Sequence, residues 1–317
     1  MPTPSFVDLQ PPAGSFLDDV LCGLGRVPKA ISPKYFYDDR GSELFEAICE
    51  LPEYYPTRTE LALTRDCAVD IAAAVGTGKM LIEFGSGASL KTGLLLRTLS
   101  PEAYVPVDIS AAALRAAAAR IAEEFPDLPV IAVCGDYMQP LAVPALDGIT
   151  AQRLIYFPGS TIGNLTPAEA LEFLRRGRNL AGSGGAMLVG VDLKKDPQRL
   201  NAAYNDAQGI TAEFNLNLLR RINRELGADF NLAHFRHVAF YDAAAGRIEM
   251  HLESLVAQIV TVGGRRFEFA AGERLHTENS CKYSVAEFQR LAQSAGYVAE
   301  NVWVDGEALF SLHLLRG

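Results

Sequence analysis

The hydrophobic pattern is a series of short apolar runs, each closed by turn residues and followed by a helical period. Met80–Phe84 is one such run; Gly85 and Gly87 end it, and Leu90–Leu99 continues at helical spacing. Residues 103–107 form a second run ending in Asp108, after which Ser110 is placed to cap an Ala-rich helix reaching Phe125. Residues 129–133 lead into Cys134-Gly135-Asp136-Tyr137, and Arg153–Phe157 leads into the segment from Pro158 to Asn164. Thr166-Pro167-Ala168-Glu169 reads as a capping box with proline in the first turn. Glycines at 182, 184 and 185 break that helix before a strand at 186–193. Apolar runs alternating with helices predict a doubly wound α/β domain with a parallel sheet.

The alternation stops there. Asp196-Pro197 opens a short helix through Tyr204, and Ile210–Leu226 is longer, with Phe214, Leu218 and Ile222 at helical spacing. Alternating segments follow at 237–241, 247–255, 258–262 and 266–269, with Gly263-Gly264 as a hairpin turn. A capping box at Ser284 and Glu287 restarts the βα pattern, and strands at 298–304 and 309–315 complete it. Upstream, residues 1–14 read as a loosely held arm and 16–24 as a helix. Ser42 is predicted to cap a helix carrying Leu44, Phe45 and Ile48, and Pro52 to end it. Tyr54-Tyr55-Pro56 reads as extended, and 60–75 as a helix. The expected domains are a Rossmann-like one at 59–194 plus 282–317, and a second lobe at 15–58 plus 195–281.

Composition narrows the function classes. The 317 residues are 49% apolar, ample for a core. A net charge of −9 without a Lys/Arg block argues against non-specific nucleic-acid or anionic-membrane binding. Cys22, Cys49, Cys67, Cys134 and Cys281 are scattered without C-x-x-C spacing, which predicts reduced thiols in a cytoplasmic protein. No signal peptide and no membrane span are expected. A monomer is expected. The five histidines show no metal-ligand spacing, so all are read as structural or surface and no metal is expected.

The glycine turn carries the first chemical signal. Gly85 and Gly87 let the backbone pass close under a ligand, and free N–H groups at the helix start favour a carboxylate-bearing or anionic one. Leu90 stands where a dinucleotide fingerprint needs its third glycine, and no P-loop is present. The pattern from Glu83 through Gly85 and Gly87 to Ser89 resembles the S-adenosylmethionine loop of Rossmann-like methyltransferases; a plain structural turn is the alternative. Asp108 stands where a ribose is usually bound, which does not separate a nicotinamide cofactor from S-adenosylmethionine. Asp136 suits an adenine amine, with Tyr137 beside the ring. Tyr35, Phe36, Tyr37, Phe45, Tyr54 and Tyr55 form either a small aromatic core or the lining of a site for a cationic or aromatic ligand.

Several stretches converge on one family. Residues 35–45 (Tyr-Phe-Tyr-Asp-Asp-Arg-Gly-Ser-Glu-Leu-Phe), 51–60 (Leu-Pro-Glu-Tyr-Tyr-Pro-Thr-Arg-Thr-Glu), 159–167 (Gly-Ser-Thr-Ile-Gly-Asn-Leu-Thr-Pro), 247–250 and 277–282 stand in this order. With them the chain resembles, from about residue 32 to 315, the histidine-specific Nα-methyltransferases of ergothioneine biosynthesis. The resemblance implies a Rossmann-like class I methyltransferase sheet in an α/β chain, with a second α+β substrate-binding lobe. It implies three methyl transfers from S-adenosylmethionine to the α-nitrogen of L-histidine, giving hercynine. Cofactor binding would fall on Glu83, Gly85, Gly87, Lys91, Asp108, Asp136 and Tyr137. Gly159 would line the substrate site, and Asn164 and Tyr204 would hold the α-carboxylate. Tyr54 would face the amine with Tyr37 and Phe45 nearby; Tyr54 and Tyr37 are the catalytic candidates. Glu278 and Ser280 would read the imidazole, a carboxylate accepting the ring N–H and a hydroxyl serving the other nitrogen, with Met250 packed on the ring. Asn279 departs from the small apolar residue expected there. Rival readings are methyl transfer to another aromatic amino acid or amine, a cofactor-binding module without turnover, and a dehydrogenase.

Overall fold

The computed structural model describes residues 4–9, 15–86, 90–139, 141 and 151–317, the side chains of 15, 90 and 91 excepted. In chain order its elements begin with β1 (Ser5–Asp8), α1 (Ser15–Leu24), α2 (Asp39–Cys49), α3 (Tyr55–Val75), β2 (Met80–Phe84) and α4 (Leu90–Leu99). Next come β3 (Ala103–Asp108), α5 (Ala111–Glu124), β4 (Ile131–Cys134), β5 (Arg153–Phe157), α6 (Pro167–Ala181) and β6 (Ala186–Asp192). They are followed by α7 (Pro197–Ala203), α8 (Ile210–Leu226), β7 (Phe235–Asp242), β8 (Arg247–Ser254), β9 (Gln258–Val262) and β10 (Arg265–Phe269). The chain closes with β11 (Arg274–Cys281), α9 (Val285–Ser294), β12 (Val298–Val304) and β13 (Phe310–Arg316). They fall into two compact units, Met1–Gln10 with Pro56–Lys195 and Cys281–Gly317, and Pro11–Tyr55 with Asp196–Ser280.

The first unit is built on an eight-stranded sheet, among the described residues, in the order β1-β4-β3-β2-β5-β6-β13-β12. The run from β1 to β6 is parallel, and β13 turns antiparallel between β6 and β12. Strand periodicity divides its side chains between two cores. Met80, Ile82 and Phe84 pack with Val105, Val133 and Val189, whereas Leu81 packs with Tyr104, Ala132 and Leu188 on the other side. Each Val, Leu, Ile, Met or Phe among them, fully buried, contributes roughly 1.5–3 kcal/mol. The order reverses at β2, flanked by β3 on one side and β5 on the other, so the switch point lies at its carboxyl end. This is a mostly parallel, doubly wound α/β sheet.

In the second unit β11-β8-β7 form one sheet, with β7 and β8 antiparallel, and β9-β10 form a hairpin. The hairpin turns at Gly263 and Gly264, φ 54° and 76°, as a two-residue hairpin of this kind requires. Helices α2 and α8 pack together through Phe45 and Phe214, ring centroids 6.1 Å apart.

Most elements stand where the pattern put them, and both capping boxes form, Thr166 with Glu169 and Ser284 with Glu287. Four expectations fail. Residues 5–8 are not a loose arm but pair in parallel with β4. Ser42 does not cap α2; Asp38 does, its Oδ1 accepting the Gly41 N–H at 2.8 Å, which adds a turn to the helix. Tyr55 and Pro56 are not extended but open α3, where proline's missing N–H costs nothing in the first turn. Ser110 sits at the N-cap of α5 without a side-chain cap; its own N–H donates to Asp108 Oδ1 at 2.9 Å instead.

Candidate active site

In the first unit the expected cofactor residues gather at the carboxyl ends of β2, β3 and β4. Gly85 adopts φ 70° and donates its N–H to the Val107 carbonyl at 2.8 Å. Among the described residues a Cβ built there would meet nothing within 4 Å. Glu83 is buried beneath it; Thr92 Oγ1 donates to its carboxylate at 2.7–2.8 Å, and the Tyr104 phenol donates as well. Asp108 ends β3 and Asp136 follows β4, where its Oδ1 accepts the Met138 N–H at 2.8 Å. The Tyr137 ring stacks on Phe84 at 5.8 Å and meets Phe157 edge-on at 5.5 Å. Burial pushes the Tyr137 phenol well above its ordinary range, and the Asp108 and Asp136 carboxylates push the same way, which places the three groups together. Gly87 lies outside the described residues, as does the side chain of Lys91.

The loop after β5 belongs to the same unit. Gly159 takes φ 75°, and its N–H is held by Glu60, both carboxylate oxygens lying at 2.9 Å. Glu60 is fully buried, and a Cβ on Gly190 would stand 2.3 Å from its Oε1, so this packing requires glycine there. Asn164 ends the 3-10 turn Thr161–Asn164 and is half-buried.

The second unit holds a pocket of about 280 Å³ lined by Phe45, Ile48, Tyr54, Ala203, Tyr204, Thr211, Phe214, Met250 and Glu278. Five residues expected from the sequence line it: Phe45, Tyr54, Tyr204, Met250 and Glu278. Ser280 joins through Tyr204, whose phenol donates to its Oγ at 2.8 Å. Tyr37 stands behind, edge-on to Phe45 at 5.7 Å and to Phe214 at 5.9 Å. Glu278 is 8% exposed, a carboxylate beside aromatic faces. Burial raises the Tyr54 phenol well above its ordinary value, with Tyr204, Cys49, Tyr37 and Glu278 adding to the shift. Tyr54 is therefore a neutral hydroxyl near pH 7. The Asn279 amide oxygen bonds His276 Nε2 at 3.0 Å, so this departure from the family pattern is spent outside the pocket lining.

Sequence reading missed Ile48, Ala203, Thr211 and Phe214 as lining residues. A signal existed for three of them. Ile48 is one turn beyond Phe45 on α2, and Thr211 and Phe214 are three apart on the apolar side of α8.

The family described as histidine-specific methyltransferase, SAM-dependent, matches residues 16–317. Over 303 residues the chain is 44% identical to the histidine N-alpha-methyltransferase of Mycolicibacterium smegmatis, covering 93% of each chain. The histidine N-alpha-methyltransferase of Mycobacterium tuberculosis is 42% identical over 302 residues, again with 93% of each covered. Ergothioneine biosynthesis protein 1 of Neurospora crassa is 32% identical over 296 residues, which span 91% of this chain and 33% of that protein.

Proposed function

The chain belongs to the S-adenosylmethionine-dependent, histidine-specific methyltransferases, and from that premise we propose that it methylates the α-amino nitrogen of L-histidine three times. The product is hercynine, the histidine trimethylbetaine from which ergothioneine is made. The observation that carries this reading is the second unit's pocket, where one buried carboxylate, Glu278, shares a lining with Phe45, Tyr54, Phe214 and Met250.

Glu278 accepts the imidazole N–H, and Met250 supplies an adaptable apolar contact to the ring. Ser280, whose oxygen already accepts from Tyr204, serves the second ring nitrogen as a donor. An apolar ring in place of imidazole would leave the carboxylate without its ligand, which penalises phenylalanine. Tyr54 presents a neutral phenol to the amine and accepts a hydrogen bond from its less methylated forms. The faces of Tyr54, Tyr37 and Phe45 accommodate the growing cation, worth about 0.5–2 kcal/mol for such contacts.

The first unit fits S-adenosylmethionine. Gly85 offers a backbone turn, two carboxylates end neighbouring strands, and a tyrosine ring lies with them. Asp108 would take the ribose hydroxyls and Asp136 the adenine amine, with Tyr137 beside the base. Glu83, tied to Thr92 and Tyr104, would fix the turn from below. By the resemblance, Asn164 would offer its amide N–H groups to the α-carboxylate of L-histidine. When bound, S-adenosylmethionine supplies a methyl already activated on a sulfonium, so the protein's share is positioning and exclusion of water.

Cys22, Cys49, Cys67, Cys134 and Cys281 are all free thiols, which supports a cytoplasmic location. No helix among the described residues is long and apolar enough to cross a membrane. The test offers L-histidine, tryptophan and phenylalanine separately with S-adenosylmethionine. S-adenosylhomocysteine should accumulate with L-histidine alone; equal turnover of tryptophan would overturn the imidazole reading.

A further inference from the structure

Strand β7 is the edge of the second unit's three-stranded sheet, so its outward backbone groups need partners. Helix α7 and the residues after it supply them. Asn201 Oδ1 accepts the Tyr241 N–H at 2.7 Å, and Asn205 Nδ2 donates to the Ala239 carbonyl at 3.1 Å. The Asn201 and Ala202 carbonyls of α7 accept from the Tyr204 and Asn205 N–H groups that follow. The carbonyl of Tyr204, the C-cap, lies 2.9 Å from His237 Nε2. A carbonyl only accepts, so Nε2 carries the proton and Nδ1 must itself accept. Asn215 Nδ2 stands 2.9 Å from Nδ1 and also donates to the His251 carbonyl at 3.0 Å. Reversing that amide would set its oxygen against the His251 carbonyl, so its orientation is fixed. Asn215 is fully buried. At the far end the Tyr204 phenol donates to Ser280 Oγ at 2.8 Å.

From this chain of bonds we infer that His237 is a positioning residue: by holding the Tyr204 main chain it aims the Tyr204 phenol at Ser280, and through the Ser280 hydroxyl at the amino-acid substrate. The inference rests on the proposed reading of the pocket as the substrate site. His237 is not among the residues that line that pocket. Its burial holds the imidazole below its ordinary range, which keeps the ring neutral near pH 7 and Nδ1 an acceptor.

Calorimetric titration of L-histidine into the wild type, Tyr204→Phe, His237→Phe and the double variant tests it. Tyr204→Phe and His237→Phe should each weaken binding about tenfold, the loss of one well-placed hydrogen bond. The double variant should bind little worse than either, because a phenol already misaimed has nothing more to lose. His237→Gln, whose amide can donate to the Tyr204 carbonyl, should stay within about threefold of wild type, and S-adenosylmethionine affinity should hold in every variant. Additive losses of about a hundredfold would overturn the inference, as would a His237→Phe protein that binds like wild type. So would a His237→Gln protein no better than His237→Phe. If Tyr204→Phe alone binds L-histidine normally, the substrate-site reading falls first and takes this inference with it. Nitrogen NMR of the wild-type protein needs no variant: His237 should be protonated at Nε2, and protonation at Nδ1 would overturn the assignment.

Discussion

Replacing Glu278 by alanine removes the group on which imidazole selectivity rests. The carboxylate is 8% exposed and lines the pocket with Tyr54, Phe214 and Met250. A hydrogen bond from the ring N–H to a charged acceptor contributes about 1.5–3 kcal/mol, so L-histidine should bind roughly 10- to 150-fold more weakly to Glu278→Ala. Glu278→Gln retains a neutral acceptor of the same shape and should lose about tenfold or less. S-adenosylmethionine should bind both variants as it binds the wild type, because its expected partners Gly85, Asp108, Asp136 and Tyr137 belong to the other unit. Calorimetry with each ligand in turn measures the difference, and thermal melting checks that the variants are folded. Equal losses for the two ligands, or a change of less than about twofold for L-histidine, would refute the reasoning, since even a weak net hydrogen bond exceeds that.

Asp108→Asn should weaken S-adenosylmethionine binding about tenfold by removing the charge from the bond to the ribose, and unchanged calorimetric affinity would exclude that role. Tyr54→Phe should slow the reaction and release partly methylated histidine, seen by mass spectrometry. Burial keeps the Tyr54 phenol protonated, so the pH–rate profile of Tyr54→Phe should keep the wild-type shape between pH 7 and 9; a lost limb would mean the phenol titrates. Glu287 is held down to about 2 from an ordinary 4.5 by the Lys194 ammonium, at 2.6 Å, and the Ser284 N–H. A depressed carboxylate stabilises the fold fully above 4.5 and loses that contribution as pH falls toward 2. Glu287→Gln should therefore melt lower than wild type at pH 7, and the gap should close in acid; a constant gap would contradict the assignment.

The fold was legible where one periodicity governed a stretch. The β/α alternation from Met80 to Asp192 reads directly because the buried parallel strands are mostly apolar and end in turn residues. Where two signals competed, the wrong one was preferred. Asp38 and Ser42 can both cap a helix, and only the bonds from Asp38 to Gly41 and to Asn217 and Arg224 of α8 decide between them. Tyr55-Pro56 carries a proline that serves an extended segment as well as a helix start. Strand β1 has four residues in a proline-rich stretch, too few for alternation to register, and pairing with β4 supplies the order. The pocket is a harder case. Phe45, Tyr204, Met250 and Glu278 come from α2, the end of α7, β8 and β11, and no spacing joins them. Their assembly was readable only through the resemblance. Thr211 and Phe214 went unread because an apolar helical stripe looks the same whether it faces a core or a cavity.

The most direct measurement follows an isotopically labelled methyl from S-adenosylmethionine into L-histidine and locates it by NMR. Three equivalent methyl groups on the α-nitrogen are the predicted result. Label on an imidazole nitrogen, or an unmethylated amino acid after cofactor turnover, would contradict it.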